Sequence, residues 1–265
     1  MRSVMAYYIL IAGSALCSGQ DPESAMLLAD RAFVQAEATA DKAAFEKLSD
    51  ADFTRTDADA PSAANSKPSR AREQAELKHY LYGDIGDVQE NAGRFHVLRV
   101  WVKRPSGWKI IVYQEVLSLE TPPSFAPGAG KDCENPCKMV PYHPKNETER
   151  QVIAAYSKLE TAAMAHNSPV FSTMVGDEFV AASSNSNKIS DKRGRMADFD
   201  HAKMAGVAPT PLVSAQLLDF GDAVLMRSEH KPDRGKPLHV TRIWVKRNGS
   251  WVETLSYQTS QKEIK

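Results

Sequence analysis

HVLRVWVKR, residues 96–104, and HVTRIWVKR, residues 239–247, are one strand written twice. Seven of the nine positions are identical and an eighth exchanges valine for isoleucine. Each stretch runs into a short glycine-containing turn and a tryptophan, Trp108 after Pro-Ser-Gly and Trp251 after Asn-Gly-Ser. A second echo lies upstream. Leu27, Phe33, Ala36, Phe45 and Phe53 stand 126 positions before Ile153, Leu159, Ala162, Phe171 and Phe179. Self-similarity on this scale fixes architecture before any local pattern does, and here it predicts two copies of one domain.

The chain has 265 residues, enough for two domains that each bury a core. Its 33 acidic and 33 basic side chains cancel. No single-sign field exists to gather nucleic acid or an anionic membrane face, so neither is an expected partner.

Residues 1–20 are a different material: Arg2, an apolar run from Val4 to Leu16, then Ser18, Gly19 and Gln20. That order is a secretory signal peptide, too short to span a bilayer, and it predicts export to the periplasm or the medium. Acylation at Cys17 is the lesser alternative, because Leu16 stands where a lipoprotein signal carries a small residue. Export leaves Cys133 and Cys137, an even pair in a proline- and glycine-rich stretch. With His143 they would give three ligands of a metal site. A tetrahedral set needs a fourth, so a local disulfide is the better reading.

Each half opens on an amphipathic helix: Ala29, Phe33, Ala36 and Ala40 in the first, Val152, Tyr156, Leu159, Ala163 and His166 in the second. Breaks at Asp41 and at Asn167-Ser168-Pro169 start a short second helix in each. In the second half, Ser190 can cap a third helix reaching Met204. Strand-like segments follow at 217–220, 223–230, 239–247 and 251–258, with Asn248-Gly249 as a hairpin turn. Helices first and an antiparallel sheet after them define an α+β class. The expected domains are 24–119 and 147–260, joined by a linker at 120–146. The first copy is shorter, with the missing material assigned to its third helix and the following hairpin, and with a shallower cavity as the expected result.

Helix, helix, strand, helix and a meander ending in T-R-[VI]-W-x-[KR]-R-x-G-x-W resembles the nuclear transport factor 2-like superfamily. Within it the chain looks most like the bacterial SnoaL-like and ketosteroid isomerase-like domains of unassigned function. The resemblance implies two cone-shaped domains, each a curved antiparallel sheet wrapped on its N-terminal helices, with a pocket at the wide end. It also implies site residues. Kinase association domains of this superfamily place an arginine of the T-R-V-W step in the pocket, and that role falls on Arg242 and, in the first copy, on Arg99. A second pocket arginine on the preceding strand corresponds to Arg227, and a histidine on the third helix to His201. Tyr156 approaches from the first helix. Gln258 ends the last strand, where a third arginine has no counterpart.

Strand alternation, independently of resemblance, puts Val240, Arg242, Trp244 and Lys246 on one face and His239, Thr241, Ile243 and Val245 on the other. A guanidinium on a half-buried strand needs a carboxylate, either a ligand's or an internal one from Glu229, Asp198 or Glu253. The tryptophans and His166 read as core packing. No nucleophile elbow, phosphate loop, HExxH or dinucleotide fingerprint occurs, so no metal or cofactor is expected.

Three functions fit these residues. The first is an exported, monomeric protein whose two domains pair within one chain and whose second domain binds a small carboxylate-bearing molecule without turnover. The second is a cyclase- or isomerase-type enzyme using Asp198, His201 and Tyr156. The third is a scaffold with vestigial pockets.

Overall fold

The computed structural model describes residues 21–58, 75–121, 132–201, 206–232 and 236–260. The expected export signal, with Cys17, and much of the proline-rich linker fall outside these residues.

Helix α1 (Pro22–Thr39) starts where the Asp21 carboxylate accepts from Ser24 N and ends at left-handed Ala40. It lays Met26, Phe33 and Ala36 on the core. Asp41 caps α2 (Lys42–Leu48) in the same way. The second half repeats the arrangement: Asn146 caps α3 (Glu147–Met164), and Asn167 caps α4 (Ser168–Met174) with proline in its first turn, as its sequence predicts. The third helix is shorter than expected. Ser190 belongs to a two-residue strand, and Asp191 caps α5 (Lys192–Asp200).

The first sheet comprises β1 (Ser49–Thr56), β2 (Glu76–Tyr82), β3 (Ile85–Ala92), β4 (Phe95–Arg104) and β5 (Gly107–Leu117), in the order β1-β5-β4-β3-β2. The second comprises β6 (Val175–Ser183), β7 (Ser190–Asp191), β8 (Leu212–Asp219), β9 (Ala223–His230), β10 (Leu238–Arg247) and β11 (Ser250–Ser260), in the order β7-β6-β11-β10-β9-β8. The meander of each is antiparallel, and the strand after the second helix joins the last strand in parallel. The quoted segments occupy β4 and β10. Each has its register shift at the same step, before Trp101 and before Trp244, which bends both sheets alike. The aromatic echo is also physical: Phe45 meets Phe53 edge-on at 84°, and Phe171 meets Phe179 at 86°. At the last hairpin Asn248 and Gly249 both take positive φ, 50° and 80°, as a tight turn of that sequence requires.

The expectation that the first copy lacks much of a hairpin is not met. Strands β2 and β3 are both present and paired over their full length. One connection is shorter: Gly93 and Arg94 alone join β3 to β4, where residues 231–237 join β9 to β10. A larger difference lies between β1 and β2, residues 57–75 against 184–211, and there the expected loss of the third helix falls on 59–74, outside the described residues.

Alternation sorts each sheet into a helix face and a free face, and the two free faces lie against each other. Val100, Val102 and Ile111 of the first sheet share one core cluster with Leu225, Ile243 and Leu255 of the second. Polar groups lock this contact. Gln114 is buried in the first sheet, and its Nε2 lies 3.1 Å from His239 O, 3.1 Å from Tyr257 O and 2.9 Å from Thr259 Oγ1. The Thr259 hydroxyl in turn donates to Glu115 O at 2.6 Å. Arg104 covers the ring of Phe220.

Cys133 and Cys137 form the expected disulfide. Between them, the Asn135 side chain donates to Leu212 O at 2.8 Å and accepts from Leu212 N at 3.2 Å, docking the ring on edge strand β8. No helix among the described residues is long and apolar enough to cross a membrane.

One acid sits inside the sheet–sheet contact. Asp87 is fully buried, and Gln89 Nε2 donates to its Oδ2 at 2.7 Å. Among the described residues Asp87 Oδ1 and Gln89 Oε1, both acceptors, have no donor. A proton on Oδ1 removes this conflict, and burial, reinforced by the charge of Glu178, pushes Asp87 up to about 7 despite the Gln89 hydrogen bond. The unfolded side chain loses its proton near 3.8. Stability from this group is therefore complete below that value and falls as pH rises toward 7. Asp87→Asn keeps the neutral shape and adds the missing donor. It should be more stable than wild type at pH 8 by on the order of 2–4 kcal/mol, with the difference closing by pH 4 in paired denaturant titrations.

Candidate functional site

The repeated strand carries its arginine into the helix-covered side of both sheets, and both arginines are buried. In the first half, Arg99 is fully engaged. Its Nε and Nη2 meet the two carboxylate oxygens of Asp30 on α1 at 2.7 and 3.2 Å, and Nη1 meets Glu90 on β3 at 3.0 Å. Trp101 Nε1 adds a further bond to Asp30 at 3.0 Å. Each of its three nitrogens donates to a protein carboxylate. Removing one partner of a buried pair leaves uncompensated charge, so Arg99→Ala should cost about 3–5 kcal/mol in urea unfolding. Arg99→Lys, which cannot make the bidentate contact, should recover only part of that.

The second half solves the same problem differently. Tyr156 stands at the position 126 residues after Asp30. Its ring lies under Arg242, 5.0 Å from the guanidinium carbon. The acids come from elsewhere: Glu160, one turn further along α3, meets Arg242 Nη2 at 2.9 Å, and Glu253 on β11 lies 2.9 Å from Nε. Arg242 Nη1 reaches Ser228 Oγ at 3.4 Å. With the aspartate position taken by a phenol, Tyr156 Oη and Trp244 Nε1 are buried without partners among the described residues, and Glu253 Oε1 receives no well-directed hydrogen bond from them. Burial pushes Glu253 up to about 8 against the pull of Arg242, with the Glu160 charge adding to the rise. His230 is pushed down to about 3 by burial and by Arg242. As a neutral ring it bonds Thr210 O at 2.9 Å and Ser228 Oγ at 3.0 Å.

Of the internal acids expected for Arg242, only Glu253 is there. Asp198 pairs with Lys188 at 2.7 Å on the surface, and Glu229 lies exposed beside His239. Glu160 was missed. Its signal is the four-residue step from Tyr156, which puts both on one helix face.

Two expected pocket residues lie elsewhere. Arg227 does not face the concavity. Pairing of β9 with β10 sets Met226 opposite Arg242 and Arg227 opposite Thr241, on the other side of the sheet. There Arg227 crosses to the first half, donating to Asp52 O at 2.7 Å and Thr54 Oγ1 at 3.1 Å. His201 ends α5, exposed, with Nδ1 at 2.7 Å from Ala197 O, and borders a shallower groove on the far side of that helix. Asp198, His201 and Tyr156 consequently do not form one catalytic group.

Above Arg242 lies a cleft of about 950 Å³. Glu160 and Arg242 form its floor, Phe199, Leu238 and Val240 give it apolar walls, and Gln258 borders it at the strand end. Gln258 Nε2 is 3.2 Å from Ser256 Oγ. The first half also contributes: Arg94 and residues 117–120 close one side. On α5 the guanidinium of Arg195 rests on the Phe199 ring at 5.1 Å. Among the described residues it makes no hydrogen bond or ion pair, and it borders the cleft.

A scan against known protein families matches none, and no curated protein matches the chain. Solved structures do resemble it. A nuclear transport factor 2-like protein from Cytophaga hutchinsonii aligns with a TM-score of 0.38 at 14% identity, covering 44% of this chain and 99% of its own. One of unknown function from Silicibacter pomeroyi aligns at 0.36 and 12%, covering 45% and 100%. Another from Shewanella baltica aligns at 0.35 and 12%, covering 46% and 100%. These are likenesses of shape and carry no activity to this chain.

Proposed function

We propose that the chain is an exported tandem of two nuclear transport factor 2-like domains, 24–119 and 147–260, in which the second binds a small carboxylate-bearing molecule. The repeated strand, the common element order and the shared bulge support the tandem. Residues 1–20 and the Cys133 and Cys137 disulfide, a bond of oxidising compartments, support export. Each domain uses its free sheet face on the other, so the chain acts as a monomer.

The observation that carries the ligand reading is the cleft, with the unpaired Arg195 guanidinium at its edge and apolar walls below. Clefts of this size bury most of a small ligand and orient it with a few polar groups. Arg242, already matched by Glu160 and Glu253, shapes the floor and does not hold the anion. Arg195 takes the place that resemblance gave to Arg227. Arg99 leaves the first domain without a site.

Native mass spectrometry of the protein from its own host should find a small-molecule adduct that Arg195→Ala loses. Arg195→Ala should weaken binding of that carboxylate about tenfold or more, the loss of one charge-assisted pair, while Tm stays unchanged. Equal binding by Arg195→Ala would overturn this reading.

A further inference from the structure

Glu160 and Arg242 line the floor of the cleft, and Glu253, buried and not bordering the space, is the second carboxylate on Arg242. Glu160 and Glu253 share Arg242, and Tyr156 from α3, Arg195 from α5 and His230 from β9 act on this group; Arg94, Glu120, His166, Lys188, Asp198 and Lys236 also border the cleft. His230 is held neutral with both ring nitrogens engaged. Tyr156 is kept protonated by burial and by the Glu160 charge. Arg195 lies over the same floor, near enough for Glu253 to feel its charge. Two acids stand against one buried cation here, and Arg195, exposed at the edge of the cleft, offsets the second acid only weakly, so the floor favours a proton or a cationic group of a ligand.

Glu160 is the acid with room for that cation. Its Oε1 is held by Arg242, its side chain is 17% exposed, and it borders the cleft. Among the described residues nothing else hydrogen-bonds to it, so Oε2 is open to an occupant of the cleft. The guanidinium of Arg195, unpaired among the described residues, borders the same space, which Phe199, Leu238 and Val240 also line. An acceptor on the floor, a cation at the edge and an apolar wall joining them match one chemistry.

We propose that the ligand is an amino acid or short peptide, bound with its ammonium group on Glu160 and its carboxylate on Arg195. This rests on the carboxylate reading above and adds the cationic end. The ammonium completes the charge count, so Glu253 gives up the proton it carries in the empty site. Its carboxyl O–H breaks, the electron pair stays on the carboxylate, and the proton passes to solvent. Binding at neutral pH is therefore coupled to proton release.

Titration calorimetry of the full protein at pH 7 tests this with L-leucine, leucyl-leucine and leucyl-leucyl-leucine, each beside its N-acetyl form. At least one free peptide or amino acid should bind about tenfold or more tightly than its acetylated counterpart, as loss of a charged hydrogen bond predicts. Glu160→Gln should erase that preference. The apparent enthalpy should differ between phosphate and Tris buffers by an amount that reports proton release. Glu253→Gln should bind with no buffer dependence, which keeps the test open if Glu160→Gln fails to fold. Equal binding of the N-acetyl forms would overturn the ammonium site and leave the carboxylate reading standing. Binding with no proton released would also overturn it, and failure of every probe to bind would overturn both.

Discussion

A guanidinium carried beneath a helix-covered sheet cannot stay there alone, because the cost of stripping its water is recovered only through carboxylates at hydrogen-bond distance. Both halves obey this constraint, and the way each obeys it decides what its interior can do. The first half places Asp30 on the helix, where one carboxylate satisfies Arg99 twice and Trp101 once. Glu90 on β3 adds a second carboxylate to the same guanidinium. The second half has Tyr156 at that helix position, so its acids enter from Glu160 and from Glu253 on the last strand. The price is a set of orphaned buried atoms and an acid held protonated. The result is a floor that faces space instead of filling it.

The same strands that carry these arginines inward turn their alternate side chains outward, against the other half. Apolar residues supply most of that contact, but Gln114 and Asp87 make it specific. A buried amide with acceptors on two strands of the opposite sheet tolerates little sliding, because a slip would strand its donors without water. The contact also builds the cleft, since Arg94 and residues 117–120 reach it only in this arrangement.

Much of this was legible in the sequence because periodicity is local. The duplicated strand, the caps at Asp41 and Asn167, the Asn248-Gly249 turn and the face carrying Arg242 all follow from spacing within a few residues. Arg227 was misplaced because the face of a neighbouring strand depends on hairpin register. One residue of register moves a side chain through the sheet, and nothing in GDAVLMRSEH announces it. Glu160 and Arg195 were missed for a related reason. Charged residues on helices usually face water, and only the tertiary arrangement shows which of them overlook a cavity. The hairpin expected to be missing from the first half is present, and the difference seen there falls on the connection between β3 and β4, since trimming a loop costs far less than removing a paired strand.

The small disulfide ring has a consequence that reaches beyond this chain. Strand β8 is the open margin of the second sheet, and an open margin invites any passing extended segment to add itself as the next strand. Val213 makes that margin sticky, being 53% exposed. At Leu212 the Asn135 amide offers one donor and one acceptor, as a neighbouring backbone would. It behaves as a strand one residue long, held in place by a covalent staple and leading nowhere. A foreign strand seeking to zip along β8 finds its first rung already occupied by the disulfide ring.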